Sequence, residues 1–260
     1  MNIAIKYVNR KDKIISFFWQ HVLLLVSLFI MTLGVALCVR SNIGSSVIST
    51  IPFVMTLAGE TGKAPAYTIG EYTYMMNFLL VGLQILILRR KFHYVQLFQL
   101  VIGFVFGFLL DVNMWITSAL TCDSLLPQVV VQLAGCCILA IGISFEIRCG
   151  SITMPGEGIT VAVSKATGMP FAKAKIRVDV TLVVIAVLLG CLFFGKWLWN
   201  VVGIGTLIAM VFVGAAVKFI DPHMEWFSRL LYYRPGFRRY IYGLARSLKY
   251  LRKRSDKTKY

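Results

Sequence analysis

Six stretches of this chain carry no Asp, Glu, Lys or Arg over about the length of a bilayer span: Ile14 to Val39, Tyr72 to Leu88, Phe92 to Leu110, Ser124 to Phe145, Val180 to Gly195 and Trp197 to Val217, the second and fifth short and each preceded by an acid, Glu71 or Asp179, expected at or just inside the boundary. A helix needs about 20 mostly apolar residues to cross a hydrocarbon core of about 30 Å. The pattern therefore predicts an all-α, polytopic membrane protein of six transmembrane helices. Composition agrees, because 58% hydrophobic residues, 15% charged residues and a mean hydropathy of +0.77 leave too little polar surface to cover a water-soluble domain of 260 residues. A soluble enzyme and a disordered chain are excluded, and the 21 glycines lack the triplet period of a collagen-like fibre. Two weakly polar stretches, Ser45 to Ala58 and Gly158 to Thr167, are too brief to span and too apolar for ordinary loops. They read as short re-entrant or interfacial helices.

Lys and Arg number 27 against 11 Asp and Glu, a formal charge of +16. Such an excess suits nucleic acid, an anionic membrane face or acidic substrates, and its placement decides among them. With the N-terminus in the cytoplasm, every Lys and Arg except Arg40, Lys63 and Lys196 falls on the cytoplasmic side, as the positive-inside rule requires. The basic residues are spread over several connections and form no compact patch, so no nucleic-acid partner is expected. The expected location is the cell (cytoplasmic) membrane, with both termini cytoplasmic. The first apolar run is longer than the roughly 7 to 15 residues of a signal peptide and no Ala-x-Ala site follows it, so it reads as a span.

The six cysteines form no Cys-x-x-Cys pair and have no His beside them, which gives no support to a metal site or a disulfide framework. No His-Glu-x-x-His, Gly-x-Ser-x-Gly or phosphate-cradling Gly-rich loop with Lys occurs. Neither a cofactor nor enzymatic activity is expected.

Shifted on itself by 108 residues, the chain brings Gly34 onto Gly142, Arg40 onto Arg148, Glu71 onto Asp179 and Gly82 onto Gly190, and it superposes the two short stretches. Each half then holds a full helix ending in Arg, a Gly-containing polar break, a short helix, an acid, and two more helices. Three crossings is an odd number, so the second copy lies upside down relative to the first. This is the inverted-topology repeat of many secondary transporters. The expected organisation is a membrane domain over 14–220, with repeat one at about 14–114 and repeat two at about 124–220, and a basic tail over 221–260.

The breaks are where chemistry is expected. Irregular backbone at membrane depth is tolerated only inside protein or along a water-filled cavity. If the breaks re-enter, each short helix points its N-terminus at the protein's centre, where exposed N–H groups suit an anion or carboxylate. In the first break Arg40, Asn42, Gly44 and the hydroxyls of Ser45, Ser46 and Ser49 are the solute-binding or gating candidates. In the second they are Arg148, Pro155, Gly156, Glu157 and Gly158, with Pro155 suited to a helix start. Arg40 with Glu71, and Arg148 with Asp179, read either as interfacial residues, Arg snorkelling and the acids capping, or as two symmetry-related ion pairs acting as gates. Glu157 superposes on Ser49 and so breaks the symmetry of the repeat. It is either a coupling group that takes a proton or cation or a helix N-terminal acid facing cytoplasmic water. Glu146, two residues before Arg148, faces away from it and reads as an interfacial charge, with an internal one as the alternative; Asp111 is expected at the outer surface.

Gly34-Val35-Ala36-Leu37 followed by Asn42-Ile43-Gly44, the echo Ile152-Thr153-Met154-Pro155-Gly156-Glu157-Gly158-Ile159, and Val202-Gly203-Ile204-Gly205-Thr206-Leu207-Ile208 resemble the YczE/YyaS/YitT-type bacterial integral membrane proteins, over roughly Val22 to Ile220. The resemblance implies a membrane protein of transporter type and supplies no substrate. Arg40 stands where related sequences usually carry a small residue or Lys, and Ser45-Ser46-Val47 departs from their Gly-x-x-Pro, which weakens transfer of a binding role to the first break.

The tail places Trp226, Phe227, Leu230, Leu231, Tyr232 and Tyr233 before Pro235-Gly236, then interleaves aromatics and leucines with Lys and Arg. Such a stretch suits anionic lipid headgroups, each basic residue contributing about 1 kcal/mol near the surface. The expected partners are the bilayer, those headgroups and a small-molecule solute, and a homo-oligomer is compatible. The expected function is a secondary transporter or permease for a small anionic or zwitterionic solute bound between the two breaks. The alternative is a non-transporting membrane scaffold or accessory protein that acts through its basic cytoplasmic tail.

Overall fold

The computed structural model describes residues 10–149 and 154–224, with side chains from Trp19 onward except Asp221. Residues 150–153 of the second break, and the tail from residue 225 with its expected headgroup contacts, lie outside the described residues. The helices are α1 (Arg10–Arg40), α2 (Thr50–Glu60), α3 (Ile69–Leu88), α4 (Phe98–Ile116), α5 (Leu125–Cys149), α6 (Pro155–Thr167), α7 (Phe171–Phe194) and α8 (Ile204–Ile220). Five of them are long and apolar enough to cross a membrane: α1 from Trp19, α3, α4, α5 and α7. The chain is a multi-pass helical membrane protein.

Three expected boundaries move, each for a local reason. The sixth run does not start at Trp197, because Gly195 closes α7 in the left-handed region (φ 67°) and the Trp197 indole N–H donates to the Val202 carbonyl at 2.7 Å. Residues 196–203 are thereby held as a loop, and the remaining 17-residue α8 is about 26 Å long at 1.5 Å per residue. The third run starts at Phe98, after a 3₁₀ turn over Tyr94–Leu97, and continues through Asp111 to Ile116. Asp111 does not end it, because its carboxylate accepts bonds from the start of α3. The fifth run begins at Phe171, well before Val180, so Asp179 lies about 12 Å inside α7.

Local sequence accounts for the other ends. Thr68 and Glu71 form a capping box on α3, with the Glu71 N–H donating to Thr68 Oγ1 at 3.1 Å and the Thr68 N–H to Glu71 Oε2 at 2.8 Å. Pro155 opens α6, where its missing N–H costs nothing, and Gly168 closes it at φ 71°. Asn42 at φ 61° turns the chain out of α1, a conformation that Asn tolerates better than most residues.

The polarity of the helices is that of a protein in lipid. Phe78, Leu79 and Leu86 of α3, Phe104 and Phe108 of α4, and Leu188 and Leu192 of α7 face outward, while Asn77, Gln84, Gln99, Asn113 and Gln132 are buried inside. At the centre α1 and α5 cross with their backbones in contact. A Cβ on Gly34 would stand 2.5 Å from the Leu139 nitrogen, and one on Gly142 2.7 Å from the Met31 nitrogen. Helix α4 flanks α1 and α8 flanks α5, while α6 lies on α3 and α7, and α2 lies on α7 and α3. Leu28, Val35, Phe106, Leu110 and Leu139 fill the space between α1, α4 and α5.

Candidate functional site

The first turn of α6 carries the densest ionisable chemistry among the described residues. Glu146, on the last full turn before the end of α5, is 3% exposed. Its Oε1 accepts the Met154 N–H at 3.1 Å and its Oε2 has no partner. The N-terminus of α6 therefore already holds a carboxylate of the protein's own, at the place where a solute anion was expected. Glu157 stands in the first turn of α6, within electrostatic reach of Glu146 on α5 and of Lys175 and Asp179 on α7. The buried Asp179 accepts from Lys175 Nζ at 2.7 Å, one helical turn away. Burial pushes the Glu157 carboxyl above the usual carboxylate range; Lys175 opposes this and Asp179 adds to it.

Two amides face the same turn from the other side. Gln84 on α3 donates from Nε2 to Gln99 Oε1 and to the Pro155 carbonyl, each at 3.1 Å, while Gln84 Oε1 has no partner. A Cβ at Gly158 would stand 2.6 Å from Gln99 Oε1 and 2.7 Å from Gln84 Oε1, so only glycine lets the amides lie against the helix. The two breaks meet beside it through apolar atoms. A Cβ on Gly156 would reach Ile48 Cδ1 at 2.5 Å, and Val47, Ile48 and Ile51 pack around Ile159, Met76, Leu80 and Leu182.

The first break is built differently. The Ser45 N–H and hydroxyl both donate to the Val201 carbonyl, at 2.9 and 3.1 Å, and the Gly205 N–H donates to the Ile43 carbonyl at 2.8 Å. Gln132, fully buried on α5, accepts from Ser41 Oγ at 2.7 Å and donates to the Gly205 carbonyl at 2.7 Å. The Ser46 and Ser49 hydroxyls pair with each other at 2.8 Å, and Ser49 Oγ also donates to the Ser46 carbonyl at 2.9 Å. Gly44, at φ 132°, lies so close to α8 that a Cβ would meet the Thr206 nitrogen at 2.6 Å. Asn42 alone of these residues is exposed. The hydroxyls expected to hold a solute are thus engaged in joining the break to the loop before α8.

The ion pair between Arg40 and Glu71 does not form. Glu71 is exposed and caps its own helix, and Arg40 Nη2 donates to the Met114 carbonyl at 2.8 Å. The acid that works on α3 is Asp111, expected at the surface but only partly exposed, which accepts from the Gly70 N–H at 2.8 Å and from Thr68 Oγ1 at 2.7 Å. Asp179 is held by Lys175, and Arg148 is half-buried near the end of α5.

Sequence reasoning expected Glu146 at an interface, whereas it is buried, and it passed over the amides because it searched the spans for charges. Asn77 and Gln84 lie seven residues apart in one apolar run, a spacing that puts both on one helix face and marks that face as interior. Asn77 is fully buried with neither side-chain polar atom partnered. Cys38 and Cys136 are free thiols whose sulfurs approach to 3.9 Å across α1 and α5. Among the described residues no three His, Cys, Asp or Glu side chains are grouped so as to hold a metal ion.

Residues 18–222 match a family of unknown function, DUF6198, and the chain belongs to it. No curated protein and no solved structure matches the chain.

Proposed function

We propose that the protein is a secondary transporter of the cytoplasmic membrane, made of two inverted repeats, with Glu157 and its neighbours as the coupling site. The order of elements supports the repeat: a long helix, a short one and two more (α1 to α4) are followed by the same series (α5 to α8). The packing supports it in part, since α3 packs on α4 whereas α7 and α8 do not pack closely on each other. Exchanging the halves turns the contact of α1 with α4 into that of α5 with α8, and the contact of α3 with α6 into that of α7 with α2. In this reading α8 is the sixth crossing, α2 and α6 re-enter from opposite faces, and the positive-inside rule puts both termini in the cytoplasm.

One observation carries the transport reading. Glu146, Glu157, Asp179 and Lys175 are assembled, with Glu146 and Asp179 buried and Glu157 half-buried, at the start of a helix too short to cross. Ionisable groups at membrane depth are costly and mark ion or solute pathways. Of the two solute classes the sequence admits, the zwitterionic one fits better, since the carboxylates can accept from an ammonium group and Lys175 can meet a carboxylate. The scaffold alternative rests on the tail, outside the described residues.

Liposomes reconstituted with the protein and offered labelled zwitterionic and anionic small solutes test the reading. Uptake above that of empty liposomes is expected, and Glu157→Gln should change its rate or its dependence on the pH gradient. No uptake of either class removes the transporter reading, whereas unchanged uptake in Glu157→Gln removes Glu157 from the mechanism.

A further inference from the structure

We propose that Glu146 and Glu157 hold one exchangeable proton between α5 and α6, which makes the proton the coupling ion. The coupling role rests on the transporter reading above; the proton site itself does not.

The geometry begins with the unpartnered oxygen. A buried polar atom left without a hydrogen bond is destabilising, and more so when it is charged. Glu146 buries such an atom, Oε2, while its Oε1 is fixed by the Met154 N–H. A proton on Oε2 removes the charge and converts an orphan acceptor into a donor. Glu157, in the first turn of α6, is the carboxylate whose charge acts on Glu146. Two carboxylates in one buried site resist ionising together, and a single proton relieves both. A second unpartnered and fully buried acceptor, Gln84 Oε1, lies against the same turn of α6, beside Gly158.

The groups around this pair include one cation in electrostatic reach of Glu157, Lys175 of α7, and otherwise neutral or half-buried side chains, among them His21 of α1. Helix α7 contributes Lys175 and Asp179, which are bonded to each other at 2.7 Å. Helix α5 adds Cys149, within reach of Glu146, and half-buried Arg148. Helices α3 and α4 offer Gln84 and Gln99, both neutral. A metal cation is a poorer occupant than a proton, because a hard cation needs six or so converging oxygens and no three acidic or other metal-binding side chains are grouped to hold one among the described residues. The step is simple in its balance: an O–H bond forms on Glu146 Oε2 when a proton arrives and breaks when it leaves, with no change of oxidation state.

Infrared difference spectroscopy of the full chain in lipid, titrated with acid and repeated in D₂O, reads the protonated carboxyl directly. The wild type should show a carboxylic-acid band that persists into the neutral range and shifts in D₂O. Glu146→Gln should abolish that band; its amide oxygen can still accept the Met154 N–H, and a thermal midpoint confirms folding. Glu157→Gln removes the like charge and should move the band's titration midpoint down by roughly one pH unit. Should Glu146→Gln fail to fold, the Glu157→Gln shift alone decides. A band unchanged in Glu146→Gln, a midpoint unmoved in Glu157→Gln, or a band erased by sodium or potassium at fixed pH overturns the proposal. A band that behaves as expected in protein that moves no solute into liposomes keeps the proton site and removes the transporter; uptake without any such band does the reverse.

Discussion

The two breaks hold equivalent places in the helix order and do opposite things with their polar groups. In the first, the Ser41, Ser45, Ser46 and Ser49 hydroxyls and the Ile43 carbonyl are bonded within the protein, joined to Val201, Gly205 and Gln132, and Arg40 Nε is the buried atom left over. In the second, Glu146 Oε2 and Gln84 Oε1 are left over, beside three ionisable neighbours. The 108-residue shift shows how this asymmetry is written: Glu146 replaces Cys38, Glu157 replaces Ser49, and Lys175 replaces Tyr67. Asp179 and Glu71 are both acidic, yet α7 starts at Phe171 whereas α3 starts at Ile69, about two turns later in the equivalent register. The same acid is therefore a cap in one half and a buried charge in the other. On the reading proposed above, one break acts as a clasp and the other is the working site, in helix frames that share their order but not all their packing, since α3 packs on α4 while α7 and α8 do not pack closely on each other.

The largest effect that would break this contrast concerns the clasp. Gly44→Ala places a Cβ 2.6 Å from the Thr206 nitrogen at a backbone φ of 132°, strain and overlap together. A loss of about 3 kcal/mol or more is expected, read as a collapse in monodisperse protein or a large drop in thermal midpoint in detergent. A variant as stable as the wild type would show that the first break is loose enough to move, and the division into clasp and working site would fall. Gln132→Leu sharpens the same point at lower cost. It deletes the bonds to Ser41 Oγ and the Gly205 carbonyl, for an expected loss of about 1 to 3 kcal/mol. Solute uptake per folded molecule should not change; a fall in uptake at undiminished stability would move the first break into the solute path.

Much of this fold could be read from the pattern of charges, and much of the site could not. The membrane class, the runs that become α1, α3, α5 and α7, and the two short helices follow from apolar length, because lipid admits few alternatives. Boundaries went astray where a side chain found a partner far along the chain. Asp111 does not end α4 because the Gly70 N–H and Thr68 hydroxyl, some forty residues earlier, are there to receive it. Trp197 does not continue into a helix because Val202 takes its indole N–H. Glu157 was legible as an oddity, since it puts a charge where the shifted repeat has Ser49. Glu146 was not, because one charge near a helix end looks the same from sequence whether it meets water or the first turn of another helix. The amides were passed over for a related reason: Gln84, Gln99 and Gln132 carry no charge, so they lie silently inside runs recognised by the lack of charge.

The smallest effect is also the one that bears most directly on what the sequence suggested. Ser46 stands at the mouth of the first break, at the place where a solute anion was expected to meet a helix N-terminus. Its hydroxyl is 2.8 Å from that of Ser49, itself anchored to the Ser46 carbonyl. Ser46→Ala removes one hydrogen bond between neutral groups, worth about 0.5 to 1.5 kcal/mol, and leaves the Ser49 hydroxyl its bond to the carbonyl. The thermal midpoint should fall slightly, while the apparent affinity for solute and the maximal uptake rate in liposomes should match the wild type. A rise in apparent KM with an unchanged thermal midpoint would mean that this hydroxyl turns to the solute when the protein opens. The first break would then share the binding work, and the asymmetry drawn between the two halves would belong to one conformation of the transport cycle.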